Sequence, residues 1–206
     1  MKNQITQAVK ILRQGGAVVY PTDTAYGLAV DATNLAAVKK LYRLKGRNFK
    51  KPIHIIAPGK YLNTVKYLSI IVSVNKYAKK LIKKFWPGPL TIVLPLKAIG
   101  KSWQMLSAGT GTLGIRLPKH ELALELVRRF GKPISTTSAN LSGKPDNYSI
   151  SAVKKQFANS KFKPDYYLDG GRLAKCKPST VVAVDTDRVR IIRAGPITKK
   201  QIQNTI

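Results

Sequence analysis

Near the start of the chain, apolar residues recur at Ile5, Ala8, Val9 and Leu12, the spacing of one buried helical face. Gly15-Gly16 stops that helix, and the unbroken run Ala17 to Tyr20 behind it reads as a buried strand. Asn34 offers an N-cap to a second helix carrying Leu35, Val38, Leu41 and Tyr42. A basic loop follows, then a strand near Ile53 to Ala57. From Val74 to Phe85 the pattern is helical again, with Tyr77, Ala78, Leu81, Ile82 and Phe85 on one face and Lys76, Lys80, Lys83 and Lys84 on the other. Trp86-Pro87-Gly88-Pro89 breaks this helix and feeds a strand over Leu90 to Leu94. Strands over Leu113 to Arg116 and Ile134 to Thr136 flank a helix over Glu121 to Phe130. A hairpin-like pair, Thr180 to Val184 and Val189 to Arg193, closes the pattern. This alternation predicts an α/β fold: one domain over residues 1–206 on a twisted, mixed, open sheet flanked by helices. Lys97 to Gly111 is the longest stretch without clear periodicity; a loop of that length in a compact domain is often functional, and a lid is one reading that the sequence leaves open.

At 206 residues and 44% hydrophobic content, the chain can bury a core without help from metal or disulfide. Cys176 is its one cysteine and so lacks an intrachain partner, while the opening segment MKNQITQAVKILRQGG is too polar for a signal peptide. No stretch approaches the roughly 18 uninterrupted apolar residues of a membrane-spanning helix. A cytoplasmic protein with no membrane association is the expectation. Charge changes the picture further: 37 Lys+Arg against 9 Asp+Glu give +28, and only Asp23 and Asp31 are acidic before His120. A field of that sign attracts polyanions, although lysines spread so evenly also suit a solvated surface. The lysine face of the Val74 to Phe85 helix carries the same two readings.

The inventory of reactive groups is short. Two histidines and one cysteine, far apart in sequence, do not suggest a zinc site, and no protein-held metal is expected. There is no G-x-S-x-G elbow, and Ser138 to Lys144 lacks the opening glycine of a P-loop, which argues against a hydrolase or a Walker-type NTPase. Four polar, glycine-bearing segments remain, each at the end of an expected strand, where ligands of open α/β sheets sit. In Pro21 to Gly27, the hydroxyls of Thr22 and Thr24 and the ring of Tyr26 suit a ligand, or else a plain turn with an Asx bond from Asp23. Lys45-Gly46-Arg47, with Lys50 and Lys51 close behind, suits a phosphate or an exposed basic loop. Ser135 to Lys144 suits a triphosphate held in an anion-binding nest, or a serine-rich turn. Pro178 to Thr180 is followed one strand later by Ile191 to Gly195, which sets Arg193 at a strand end as part of a site or as a surface charge.

Seven segments, PTDTAYGL, KGR, FWPGPLT, GIRLP, STTSANLSG, PSTVV and IIRAG, stand in the order found in the YrdC/TsaC family, which this chain resembles from about Ala17 to Gly195. The resemblance implies a YrdC-like domain in its short, single-domain form. It implies an L-threonylcarbamoyladenylate synthase, a nucleotidyltransferase joining L-threonine, bicarbonate or CO2, and ATP into threonylcarbamoyl-AMP and pyrophosphate. The product would serve N6-threonylcarbamoyladenosine (t6A) modification of ANN-decoding tRNA, through a downstream complex of TsaD/TsaB/TsaE type. By motif match, Thr24, Arg116, Thr136 and Ser179 would contact threonine, and Lys45, Arg47, Thr112, Ser138, Asn140 and Arg193 would contact ATP. Lys45 and Arg47 would stabilise charge on the phosphate oxygens, with no protein nucleophile needed. Mg2+ would arrive with ATP, since magnesium is commonly held through substrate phosphates.

The sequence also departs from the family pattern. Asn48 replaces a proline, Lys51 an asparagine, and Ile56 stands where a threonine-contacting histidine can occur. Asp146 occupies the place of a serine near the nucleotide; an acid is repelled by phosphate, so Asp146 is expected to point away. The net charge motivates a second class, an RNA-binding module on the same basic surface, or tRNA affinity beside catalysis. RRM-like aromatic strand motifs and a KH-type GXXG loop are lacking. A third reading, related chemistry on another acceptor as in hydrogenase maturation proteins, belongs to much longer chains.

Overall fold

The computed structural model describes residues 2–206 except Gly59, Lys60, Ile99 and Asp187, without the side chains of Lys2, Tyr61, Leu62 and Asn63. The chain begins α1 (Lys2–Arg13), β1 (Val18–Tyr20), β2 (Gly27–Ala29), α2 (Leu35–Lys45) and β3 (His54–Ile56). It continues through α3 (Tyr61–Ile71), α4 (Lys76–Phe85), β4 (Leu90–Pro95), α5 (Lys101–Leu106), β5 (Thr112–Arg116) and α6 (Glu121–Phe130). The last part holds β6 (Ile134–Ser138), α7 (Ile150–Phe157), β7 (Tyr166–Tyr167), β8 (Thr180–Val184), β9 (Val189–Arg193) and α8 (Lys199–Gln203). One mixed sheet of order β7-β1-β2-β6-β3-β5-β4-β8-β9 unites the strands. Three of its pairs are parallel, β1 with β7, β3 with β5 and β4 with β8, and the rest are antiparallel. The expected single α/β domain on a mixed open sheet is the fold observed.

The elements form where local chemistry and burial agree. α1 buries Ile5, Ala8, Val9 and Leu12 and packs on α6, whose Ala123, Leu126, Val127 and Phe130 face inward. Asn34 caps α2, its Oδ1 accepting from the N–H groups of Ala36 and Ala37 at 3.0 and 3.2 Å, a cap that stabilises by about 1 kcal/mol. Gly46 ends α2 in the left-handed region at φ 58 and ψ 35, which only glycine adopts without strain. The chain therefore reverses between Lys45 and Arg47 and sends the two cations in different directions.

Several elements went unforeseen. β2 and β7 are three and two residues long, too short for a period to register. α7 and α8 carry recognisable caps, Ser149 on the N–H of Ala152 and a capping box between Thr198 and Gln201. Lys97 to Gly111, read from the sequence as a long loop, contains α5. Leu106 is fully buried, its carbonyl accepts from the N–H of Ile53, and the Tyr42 hydroxyl donates to the carbonyl of Met105 at 3.0 Å. α5 packs on α2, so this segment supports the KGR turn as framework.

Candidate active site

Ends of β1, β2, β6, β3, β5, β4 and β8 converge on a cavity of about 500 Å³. One half is organised by Arg116, at the end of β5 and 7% exposed. Its Nη2 donates to Asp23 Oδ1 at 2.6 Å, its Nη1 to Thr24 Oγ1 at 2.9 Å, and its Nε to the carbonyl of Gly88 at 3.3 Å. Three of five guanidinium N–H groups are thus committed, and two remain for a ligand carboxylate. The turn that presents Thr24 is closed by Thr22, whose hydroxyl donates to the carbonyl of Ala25 at 2.7 Å and accepts from the N–H of Thr24. The Asx bond expected of Asp23 gives way to its ion pair with Arg116, because a buried guanidinium needs a counter-charge. Ser179 completes this half: its hydroxyl meets Thr91 at 2.8 Å, and its hydroxyl and carbonyl both accept from Arg193.

The other half is cationic and rich in hydroxyls. Arg47 reaches back to the carbonyls of Lys51 and Pro52 and joins Lys51 and Ser138 on the wall. Lys45 is 1% exposed and lies behind that wall. Its Nζ donates to the carbonyls of Ser138 and Asn140 and to Asn140 Oδ1, which engages all three ammonium protons. Burial, then the charge of Arg47, pushes its pKa down to about 7, against the opposing pull of Asp146. Asn140 ties the bracket further, accepting from the Ser138 hydroxyl at 2.8 Å. Asp146, expected to point away, lines the cavity and raises the proton affinity of both Lys45 and Arg193. Surrounding cations outweigh the repulsion on which that expectation rested.

Of the residues singled out from the sequence, Thr24, Arg47, Arg116, Thr136, Ser138, Ser179 and Arg193 line this one cavity. Thr136 also accepts from the buried Tyr20 hydroxyl at 2.8 Å. Lys45 and Asn140 stand directly behind it. Thr112 does not reach the wall. It opens β5, about 13 Å before Arg116 at roughly 3.3 Å per residue, with its hydroxyl 3.0 Å from that of Thr110. Sequence reasoning missed His54 and Thr91 on the wall. Attention fell on Ile56, which is fully buried in the core, whereas His54, on the same face of β3 two residues earlier, lies at the cavity. Strand alternation was the available signal.

A polar cavity with a guanidinium fork in one half and a cationic bracket in the other suits a carboxylate ligand set beside a phosphate-bearing one. Residues 10–195 match the Sua5/YciO/YrdC family, described as Telomere recombination. A threonylcarbamoyl-AMP synthase of Bacillus subtilis is 38% identical over 204 residues, covering 98% of this chain and 56% of that protein. The crystal structure of Pyrococcus abyssi Sua5 complexed with L-threonine superposes with a TM-score of 0.90 at 32% identity, covering 100% of this chain and 58% of that one. A putative threonylcarbamoyl-AMP synthase of Mycobacterium leprae is 34% identical over 98% of this chain and 87% of its own length. The chain thus spans little more than half the length of the first two. Motif order, fold and coverage lead to one conclusion: the chain belongs to the Sua5/YciO/YrdC family.

Proposed function

We propose that this chain is a threonylcarbamoyl-AMP synthase acting on L-threonine, bicarbonate or CO2, and ATP. The observation that carries the reading is the adjacency, in one cavity, of the Arg116, Thr24 and Ser179 cluster and the Arg47 and Ser138 cluster. The first set fits the carboxylate and hydroxyl of an amino acid; Thr136 extends it. The second set fits a triphosphate, with Arg193 between them gripping Ser179. Threonine bound in a relative and the synthase names of several relatives support the same assignment.

In this mechanism the amine of threonine, once its ammonium has given up a proton to solvent, bonds to the carbon of bicarbonate, and water leaves to give the carbamate. A carbamate oxygen then attacks the α-phosphorus of ATP, and the bond to the β-phosphate breaks as pyrophosphate departs. The protein's part is alignment and charge stabilisation. Arg116 fixes the carboxylate, Arg47 donates to phosphate oxygens, and Lys45 holds Ser138 and Asn140 in place from behind. Since Lys45 spends its protons on that bracket, its role here is positioning, with Arg47 the cation that meets phosphate. Magnesium fits the site as a passenger on ATP: one carboxylate, Asp146, is on the wall to meet the hydration shell of an ion bound through phosphates. Such an ion would neutralise charge on the leaving pyrophosphate.

The lysines of α4, Lys76, Lys79, Lys80, Lys83 and Lys84, are all exposed and suit a nucleic-acid backbone. With the +28 charge, they support tRNA affinity beside catalysis, in the cytoplasm, with hand-over to a TsaD/TsaB/TsaE-type complex. A salt titration of tRNA binding tests the surface, which requires affinity to fall steeply with salt. Pyrophosphate release from ATP and bicarbonate, with and without L-threonine, tests the enzyme. Threonine-dependent release with threonylcarbamoyl-AMP detected by mass spectrometry is the expected outcome, and its absence rejects the synthase.

A further inference from the structure

The mechanism above leaves one group on the cavity floor without a task. β3 runs between β6 and β5. His54 pairs with Thr136 on one side, and on the other its ring lies over Gly114, where a Cβ would come within 2.2 Å of the ring. From Thr136, β6 leads to Ser138 and the phosphate half; from Gly114, β5 leads to Arg116 and the carboxylate half. His54 stands where the two halves meet. Burial, then the guanidiniums of Arg193, Arg47 and Arg116, push its pKa down to about 4, so the ring is uncharged near neutral pH.

Neither ring nitrogen hydrogen-bonds to another described residue, and neither is a buried orphan: among the described residues that condition belongs to His120 Nδ1. The ring, which lines the cavity, thus keeps its hydrogen-bonding capacity for a ligand there. A neutral imidazole carries one N–H and one lone pair. It can polarise a carbonyl oxygen without competing with phosphate for the neighbouring cations, as a neutral histidine does in other enzymes.

Resting on the synthase reading, we infer that His54 binds the one-carbon unit, its N–H donating to an oxygen of bicarbonate and then of the carbamate. That unit must lie between the amino nitrogen and the α-phosphorus, which is the position of the His54 ring between the two clusters. The contact makes and breaks no covalent bond, and His54 moves no proton.

The test combines steady-state kinetics with nitrogen NMR. In His54→Leu, which keeps Gly114 covered, the KM for bicarbonate rises about tenfold, the loss of one hydrogen bond, while the dissociation constants of L-threonine and ATP stay within about twofold. His54→Gln, with a donor and an acceptor, recovers most of the loss. In the wild-type protein, bicarbonate added with L-threonine and a non-hydrolysable ATP analogue moves the ring nitrogen signals of His54, assigned by their absence from His54→Gln. An unmoved signal overturns the inference without reliance on variant folding. So does an unchanged bicarbonate KM, an equal defect in both variants, or an equal loss of threonine binding. A wild-type protein without bicarbonate- and threonine-dependent pyrophosphate release removes the synthase reading itself, and the inference with it.

Discussion

Replacing Asp23 by Asn probes the ion pair that aims Arg116. The charged atoms are 2.6 Å apart, and the side chains are 9% and 14% exposed for Arg116 and Asp23. At an effective dielectric near 20, two unit charges with centres about 4 Å apart attract by about 4 kcal/mol. Removing one member of a buried pair costs about 3–5 kcal/mol, because the other charge is left uncompensated. Arg116 keeps its bonds to Thr24 and Gly88, and the small exposure of Asp23 admits some water, so the lower end, about 3 kcal/mol, is expected. For a chain of this size that lowers Tm by roughly 6–12 °C. Urea unfolding of Asp23→Asn, Arg116→Met and the double variant measures the coupling; the double variant is expected to lose about 3 kcal/mol less than the sum of the single losses. The same loss of aim raises KM for L-threonine about tenfold in Asp23→Asn, with ATP affinity within about twofold. Additive single losses, or a cost below about 1 kcal/mol, refute the buried-pair argument.

ATP binding at pH 8 is expected to take up about one proton, since the charge of a triphosphate in front of the wall restores to Lys45 the third proton of its bracket, which its folded pKa of about 7 releases in the free protein; calorimetry in buffers of different ionisation enthalpy measures this, and Lys45→Met abolishes it. Because that folded pKa lies below the ordinary 10.5, the unfolded chain binds more protons between about pH 7 and 10.5, so the contribution of Lys45 makes stability rise with pH in that window. Urea unfolding at pH 7 and 9 is expected to show this component in the wild type and to lack it in Lys45→Met. Gly114→Ala drives a methyl into the His54 ring and is expected to cost about 1–3 kcal/mol in thermal unfolding while shifting the ring signals of His54. Thr112→Ala, on a residue away from the cavity wall, is expected to leave ATP affinity within about twofold in equilibrium titration; a tenfold loss would return Thr112 to the nucleotide site.

Every helix and strand expected from the sequence is present, because each rests on a local cause that the sequence displays. The stripe of α1, the Asn34 cap and the Trp86-Pro87-Gly88-Pro89 break act within a few residues of themselves. Motif order likewise identified the family and most of the cavity wall, since residues that meet one ligand are constrained in type. Three things were decided elsewhere. That Lys97 to Gly111 carries a helix depended on the packing of α5 against α2. The direction of Asp146 depended on cations brought from α2 and β9, at separations no local pattern records. The place of His54 on the cavity floor depended on strand order, which set Thr136 on one side and a side-chain-free Gly114 on the other. A single chain position determines a residue's chemistry, but the partners that tune its charge and the space it occupies are assigned by pairing across the sheet, and that is long-range.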